Sequence, residues 1–354
     1  MFESMSYEGI LQRMLDRVPS EFDKREGSII FDALAPAAME MMSMYIELER
    51  LLKETFADTA SREYLIRRTA ERGIEPYPAS KASLKAKVTP ETLDVRIGSR
   101  FSLNELNYTL TQKIEDGSYI VECETAGAVG NQYFGSLIPI DYIDGLESIE
   151  ITELLIPGED EESTESIRKR YFDTFGSQAY GGNVKDYIQK TNAISGVGST
   201  KVTPVWNGGG TVLLTILNSE FSKASDTLIQ KVQEEIDPTQ DSSGQGIAPI
   251  GHIVTVRTAD ETVVNISTSI TFQEGYSFNG CKAVIIEAIQ AYLLEIRKAW
   301  ADESACVVRI SQIETRIMNI TGVVDVTGTK INGETSNLVL DKYSIPILGE
   351  INNE

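Results

Sequence analysis

Apolar residues in the first 73 positions recur at intervals of three and four, the spacing that places side chains on one face of an α-helix. Ser6 is a suitable N-cap for a first helix, which Pro19 would end. A longer pattern begins after Ser28, and Pro36 is expected either to kink that helix or to mark its start. A third helix is predicted from about Ser61 to Arg72. Together these patterns predict a helical arm over residues 1–79.

The pattern changes to short alternating runs after residue 80. Residues 108–111 and 119–123 alternate apolar and polar side chains, and Asp116-Gly117 between them is a turn signal. These features predict a small β domain over residues 80–156. In residues 157–170 acidic side chains come first and basic side chains follow. This order is typical of the start of a solvent-exposed helix, which Ser163 or Asp160 would cap.

A near-repeat organises the rest of the chain. Within Asp186–Thr203 the sequence predicts a helix, then the turn Ile194-Ser-Gly-Val197, then a strand. A hairpin turn is predicted next, at Gly208–Gly210. The same order recurs from Gln312, through Ile320-Thr-Gly-Val323, to a second hairpin turn at Asn332-Gly333. Each hairpin is accompanied by an amphipathic helix, 223–236 and 282–300, and residues 264–272 alternate as a half-buried strand. We expect two related α/β modules with antiparallel sheets, over residues 157–258 and 259–354. The predicted fold class is therefore α+β and multidomain.

The net charge excludes some partners. The chain has 53 acidic and 32 basic side chains, a formal charge of −21, and 41% apolar residues, enough for folded cores. Nucleic acid and a polybasic membrane anchor are disfavoured, because both need clustered Lys and Arg. The apolar stretch Ser28–Ile46 contains Asp32 and Glu40, and from the sequence we interpret it as too interrupted to span a bilayer. We therefore expect no nucleic acid and no membrane anchor.

The search for catalytic or metal-binding residues gives little. Three widely spaced cysteines favour neither a zinc site nor a disulfide framework, and they suggest a reducing compartment. His252 is the only histidine, so a Ser-His-Asp triad would have to include it. No nucleophile elbow surrounds it, and a strand-edge histidine is the simpler interpretation. We expect no cofactor, no metal and no catalytic site, and hence a structural or interaction protein.

Several stretches, in order, resemble the phage baseplate J family of contractile-tail wedge proteins. One is Glu124-Thr-Ala-Gly-Ala-Val-Gly-Asn131, and another is Gly181-Gly-Asn-Val-Lys-Asp-Tyr187. The others are residues 56–65, 70–74, 78–82, 138–140, 145–149, 158–163, 167–171, 196–197 and 248–252. The resemblance implies a helical N-terminal region, a β domain, C-terminal α/β modules and a place in the baseplate ring. It is least clear from about Asn337 onward.

The resulting hypothesis is a structural wedge subunit of a contractile phage tail or phage-tail-like bacteriocin. Its partners would be other wedge proteins, copies of itself in a ring, and the tail hub and sheath. It would assemble in the host cytoplasm and remain in the baseplate. The long helix is expected to join a helical bundle through one apolar stripe, formed by Ile30, Leu34, Met41, Met42, Tyr45, Leu48 and Leu52. The alternatives are a tail-associated hydrolase using His252 and a host-surface binding module.

Overall fold

The structure is a computed structural model that describes residues 5–176 and 181–354. It contains two compact units. The first comprises the chain up to Tyr77 together with Glu162–Gly176, and the second comprises Pro78–Glu161 and the chain after Gly176. The first unit is helical, and the second holds the sheets. The α+β class predicted from the sequence is confirmed.

The described residues of the first unit form four helices: α1 (Tyr7–Asp16), α2 (Ile29–Thr55), α3 (Arg62–Ala70) and α4 (Thr164–Gly176). The predicted cap is present, since the Ser6 hydroxyl accepts a hydrogen bond from the Gly9 amide. The Ser28 hydroxyl caps α2 in the same way, so α2 begins at Ile29 and Pro36 lies inside it. Ser28, rather than Pro36, therefore marks the start of the long helix.

The helices of the first unit pack as two small cores. One lies between α1 and α2, around Ile10, Leu11, Leu15 and Ala38. The other joins α3 to α4 and contains Ala57, Ala60, Leu65, Ile74, Ile167 and Tyr171. The Arg168 guanidinium of α4 also donates to the carbonyls of Ala57 and Ala60. Although the predicted division placed α4 in the first α/β module, its apolar face packs on the N-terminal helices.

The first part of the second unit is one curled sheet of seven strands. They are β1 (Lys81–Thr89), β2 (Arg100–Leu103), β3 (Leu106–Glu115), β4 (Ser118–Ala126), β5 (Gly135–Ser136), β6 (Ile138–Pro139) and β7 (Ser148–Ile156). The strand order is β5-β7-β1-β4-β3-β2-β6. Only Leu137 separates the two outermost strands in sequence, so one extended segment pairs with β7 and with β2. The sheet therefore closes into a small barrel.

Side chains of the barrel alternate between its interior and its surface. Every second residue of β1 is buried, in a core that includes Phe101, Tyr108, Tyr119 and Leu137. The outward residues of β1 are polar, and Lys85 and Lys87 lie in register with Glu153 and Glu150 of β7. Lys81 pairs with Glu122 of β4 at 3.0 Å. The β1 side of the barrel thus has the charged surface of a strand that faces water.

The first α/β module contains α5 (Val184–Asn192), β8 (Val197–Pro204), β9 (Thr211–Asn218), α6 (Asp226–Ile236) and β10 (Ile253–Thr258). The predicted hairpin is present, because β8 and β9 are antiparallel and are joined through Gly208–Gly210. The strand β10 adds to β9 in parallel after the α6 crossover. The antiparallel pair predicted for this module thus becomes part of a mixed sheet.

The second α/β module contains β11 (Asp260–Phe272), α7 (Phe278–Ala299), β12 (Val307–Val308), α8 (Ile310–Met318), β13 (Val323–Ile331), β14 (Leu338–Val339) and β15 (Ser344–Asn353). The strand β11 pairs with β13 antiparallel and with β15 parallel. The second predicted hairpin turn is present, because Ile331 and Glu334 bond to each other across Asn332-Gly333. The returning strand is short, since Leu338–Val339 pairs with β12 instead of β13. A core around Ile285, Ile289, Trp300 and Ile313 lies between this sheet and its helices.

The near-repeat has the same hydrogen bonds in both copies. In the first turn, the Ile194 amide donates to Thr191 O and the Val197 amide to Ile194 O. In the second, the Ile320 amide donates to Ile317 O and the Val323 amide to Ile320 O. The glycines before the strands, Gly196 and Gly322, have φ values of +96° and +93°. Both turns therefore need a left-handed backbone, which favours glycine.

Gly322→Ala is expected to lower the free energy of unfolding by about 2–4 kcal/mol, because two penalties add. Alanine is strained at this φ, and its Cβ would overlap the ring of Tyr276. Gly333→Ala is the matched control: its φ is +86°, but nothing lies within 4 Å of the added Cβ. That variant should lose only about 1 kcal/mol. Urea unfolding measures both, and equal losses would show that the contact with Tyr276 has no effect.

Candidate interaction surfaces

The residues predicted for the bundle do not form one surface. Ile30, Leu34, Met42 and Tyr45 pack against the core that α2 shares with α1. The other three predicted residues, Met41, Leu48 and Leu52, are exposed. The apolar surface of α2 is thus wider than a single partner helix covers, and α1 occupies one side of it.

The exposed side of α2 has a regular spacing that the sequence prediction missed. Its apolar side chains follow each other at alternating intervals of four and three residues: Ala37, Met41, Met44, Leu48 and Leu51. The four large ones are between 43% and 64% exposed. This 3-4 spacing is the seam of a coiled coil. We call these five residues the open seam.

A row of acids borders the open seam. Glu40, Glu47 and Glu54 follow at seven-residue intervals. Glu40 and Glu47 directly precede the seam residues Met41 and Leu48, and Glu54 occupies the same heptad position one repeat later. Arg50 lies 3.6 Å from Glu47 on the same helix, an exposed pair that contributes little to stability. Glu54 accepts hydrogen bonds from the amide and hydroxyl of Ser61, both at 2.8 Å, and so fixes the turn into α3. The seam therefore combines an apolar centre with a negative edge.

Helix α2 also meets the length and composition criteria for a membrane span. Residues 29–46 contain only two charged side chains, Asp32 and Glu40, so the sequence argument that charge interrupts this stretch is too strong. The core helix of a soluble protein meets the same two criteria, so length and composition alone do not identify a membrane span. Length and composition do not measure the 3-4 spacing of the open seam. This spacing favours a helical protein partner.

His252 is held by a tyrosine. Its Nδ1 lies 2.7 Å from the Tyr187 hydroxyl, and the two rings stack with centroids 5.9 Å apart. Burial raises the pKa of Tyr187 to about 12, so the hydroxyl beside Nδ1 stays protonated. A catalytic triad needs a carboxylate at that nitrogen. The arrangement instead fits a structural contact between α5 and the loop before β10.

The described residues contain no group of three or more His, Cys, Asp or Glu side chains placed to hold a metal ion. Asp186, beside Tyr187, accepts hydrogen bonds from the Gly182 amide and the Lys190 ammonium. These contacts fix the start of α5 and leave the carboxylate with structural partners.

A buried lysine joins the two α/β modules. Lys201 lies on β8, and its Nζ donates to the carbonyl oxygens of Glu303 and Lys342, both at 2.9 Å. The same ammonium lies 4.5 Å from the ring centroid of Trp300, which is fully buried. Burial lowers the pKa of Lys201. The two modules are therefore fixed to each other by a desolvated cation that two carbonyls and an aromatic face satisfy.

Comparisons with known proteins identify the family. The model of the Baseplate J-like central domain matches residues 179–258, and that of the Baseplate J-like protein C-terminal domain matches residues 264–354. The phage-like element PBSX protein XkdT of Bacillus subtilis (strain 168) is 39% identical over 99% of this chain and 98% of its own. The chain belongs to the baseplate J-like family. It therefore has a structural role in the tail baseplate of a phage-like particle.

Two other relatives are similar to this chain, one over nearly its whole length and one over less than half of it. The protein YqbT of Bacillus subtilis (strain 168), named as uncharacterized, is 41% identical over 99% of this chain and 98% of its own. The putative protein JayE of Escherichia coli (strain K12) is 29% identical and covers 46% of this chain and 60% of its own.

One solved structure is similar over its whole length. It is titled the cryo-EM structure of the anti-feeding prophage baseplate, 6-fold symmetrised. The match covers 99% of this chain and 100% of that chain, at 8% identity and a TM-score of 0.41. A similarity at this level supports no inference about function.

Proposed function

We propose that this baseplate J-like protein is a wedge subunit that links the hub and tube end of a tail to its sheath. Its work is mechanical: it holds neighbouring subunits in place until their contacts rearrange on contraction. The observation that carries the proposal is the open seam of α2. Five apolar side chains exposed at coiled-coil spacing are costly in water, and their spacing matches the groove of another helix.

The partner at the seam is proposed to be a helix of another wedge protein. If a second copy paired antiparallel, the acidic rows of the two helices would face each other, and like charges would oppose the contact. A helix with Lys or Arg beside its own apolar stripe would fit. The net charge of −21 supports the same partner chemistry and implies that early assembly weakens as salt rises.

The C-terminal modules are proposed to contact neighbouring copies and close a ring. A ring needs subunits whose two contact surfaces keep a fixed angle. The Lys201 junction supports this role, because it fixes one module against the other. The protein would assemble in the host cytoplasm, without a cofactor, and remain in the baseplate of a phage or a phage-tail-like bacteriocin.

Electron microscopy of labelled particles tests the placement. A peptide tag after Glu354, detected with gold-conjugated antibody, should mark the baseplate end of the tail, where tube and sheath meet. Label along the sheath, at the head-proximal end or on fibre tips would contradict the proposed position. A tag on the tube protein, which should mark exposed tube ends only, controls for antibody access.

A further inference from the structure

The segment that closes the barrel presents large apolar side chains to the outside. From residue 131 to residue 140 burial alternates strictly, and the inward positions include Tyr133 and Leu137 of the barrel core. The outward positions are Gln132, Phe134, Ser136, Ile138 and Ile140. Ile138 is 68% exposed, and Tyr142, just beyond the bend, is 89% exposed. We call Phe134, Ile138, Ile140 and Tyr142 the outer row.

The outer row contrasts with the outward face of β1, which β7 separates from the closing segment. The outward residues of β1 are three lysines, a serine and a threonine, and Lys81 pairs with Glu122. A strand with one face in water normally has polar residues on that face. The closing segment has Phe134, Ile138 and Ile140 on its outward face, beside the polar Gln132 and Ser136, so apolar side chains lie on both of its faces. The outward face of β1 is thus a solvent surface, and that of the closing segment has the composition of a contact surface.

The charge near the outer row is mainly negative. Arg100 of β2 lies across the ladder from Ile140, but its guanidinium is paired with Glu124. Residues 127–147 contain Asp141, Asp144 and Glu147 and no Lys or Arg. The Tyr142 hydroxyl lies 3.4 Å from the Asp144 carboxylate, so an acid stands at the end of the apolar row. A surface that covers the row must approach these acids, and it does so favourably only if it carries positive charge.

We propose that the outer row is a second docking surface, distinct from the open seam, for a different baseplate protein that presents an apolar patch bordered by Lys or Arg. This proposal rests on the proposed place of the chain in a baseplate. A second copy is disfavoured, because a symmetric contact through the row would bring the acids of both copies together. A lipid surface is disfavoured, because anionic headgroups attract Lys and Arg, which the segment lacks.

Cysteine labelling in free and assembled protein tests the covering of the row. Cys123, Cys281 and Cys306 are buried, so the native thiols give little background. Ile138→Cys should react with a maleimide in the purified chain and at least about fivefold less in intact particles, because a covered thiol is shielded from reagent. Lys81→Cys, on the charged side, should react equally in both. The purified variants should melt at the wild-type temperature, which shows that they fold.

The occupant is identified by a photo-crosslinker. Tyr142 replaced by p-benzoylphenylalanine keeps an exposed aromatic side chain, and mass spectrometry of crosslinked particles names what it touches. A peptide of another baseplate protein that contains Lys or Arg is the expected product. A crosslink to a second copy, to lipid, or within the chain itself would overturn the proposal.

The results separate this inference from the proposed function. If the chain is present in particles and Ile138→Cys reacts as it does in the free chain, the outer row is not a docking surface, while the baseplate role stands. If the chain is absent from purified particles, both are overturned. Protection of Ile138→Cys already in the purified monomer would assign the row to another part of this chain and also reject the proposal.

Discussion

The double variant Met41→Glu/Leu48→Glu is expected to abolish particle assembly while the chain itself stays folded. Both side chains lie on the open seam, and neither belongs to the core between α1 and α2. Burying two side chains of this size contributes about 3–6 kcal/mol, a loss of more than about a hundredfold in affinity, and two buried carboxylates would oppose the contact further. The melting temperature of the purified chain should stay within about 1 °C of wild type, since exposed sites have small effects.

Ile46→Glu is the control for this variant. Ile46 is also exposed and lies on the same helix, but it is not part of the seam. A glutamate there adds the same charge as each substitution of the double variant and removes one apolar side chain of similar size. Electron-microscope counts of complete tails should therefore match wild type for Ile46→Glu and fall to background for the double variant. Normal counts from the double variant would reject the seam as a contact.

Lys201→Ala is expected to destabilise the protein by about 3 kcal/mol, since the carbonyls of Glu303 and Lys342 lose their buried donor. The variant also leaves space beside Trp300. Urea unfolding followed by Trp fluorescence measures the loss, and module 1 should unfold separately from module 2 if the junction carries their coupling. Unchanged stability would show that the junction does not fix the modules.

Two further variants identify the cause of that loss. Lys342→Ala removes an exposed lysine whose backbone carbonyl remains as an acceptor, so its stability should stay within about 0.5 kcal/mol of wild type. Lys201→Met keeps most of the side-chain volume but not the donor. If the methionine variant is as stable as wild type, packing rather than hydrogen bonding stabilises the junction.

The local elements were predictable because their signals are local. The caps at Ser6 and Ser28, the hairpin through Gly208–Gly210 and the alternation in β11 all depend on residues close in sequence. The near-repeat was predictable for the same reason, since its two turns repeat both the glycine and the hydrogen bonds.

What the sequence could not show is which element covers which face. The apolar stripe of α2 was identified, but α1 takes one side of it, and periodicity does not name a neighbour. The position of α4 was missed likewise, because the chain returns to the N-terminal helices only after the barrel segment Pro78–Glu161. The parallel partners β10 and β15, and the pairing of β12 with β14, are also non-local contacts.

The open seam itself was within reach of the sequence. Two stripes with 3-4 spacing run side by side on α2, one through Ala38 and Met42 and one through Met41 and Met44. Merging them into a single stripe produced a prediction that mixed covered and exposed residues. Counting the heptad positions of each stripe separately would have distinguished them, along with the acidic row at seven-residue intervals.

The baseplate role through the open seam is tested most directly by the amount of this chain in purified tails, measured by quantitative mass spectrometry relative to the tube protein. The Ile46→Glu variant should be incorporated at the wild-type ratio. The Met41→Glu/Leu48→Glu variant should be reduced to less than about a tenth of that ratio, as a weakened helix contact requires. Equal incorporation of the two variants would contradict the account.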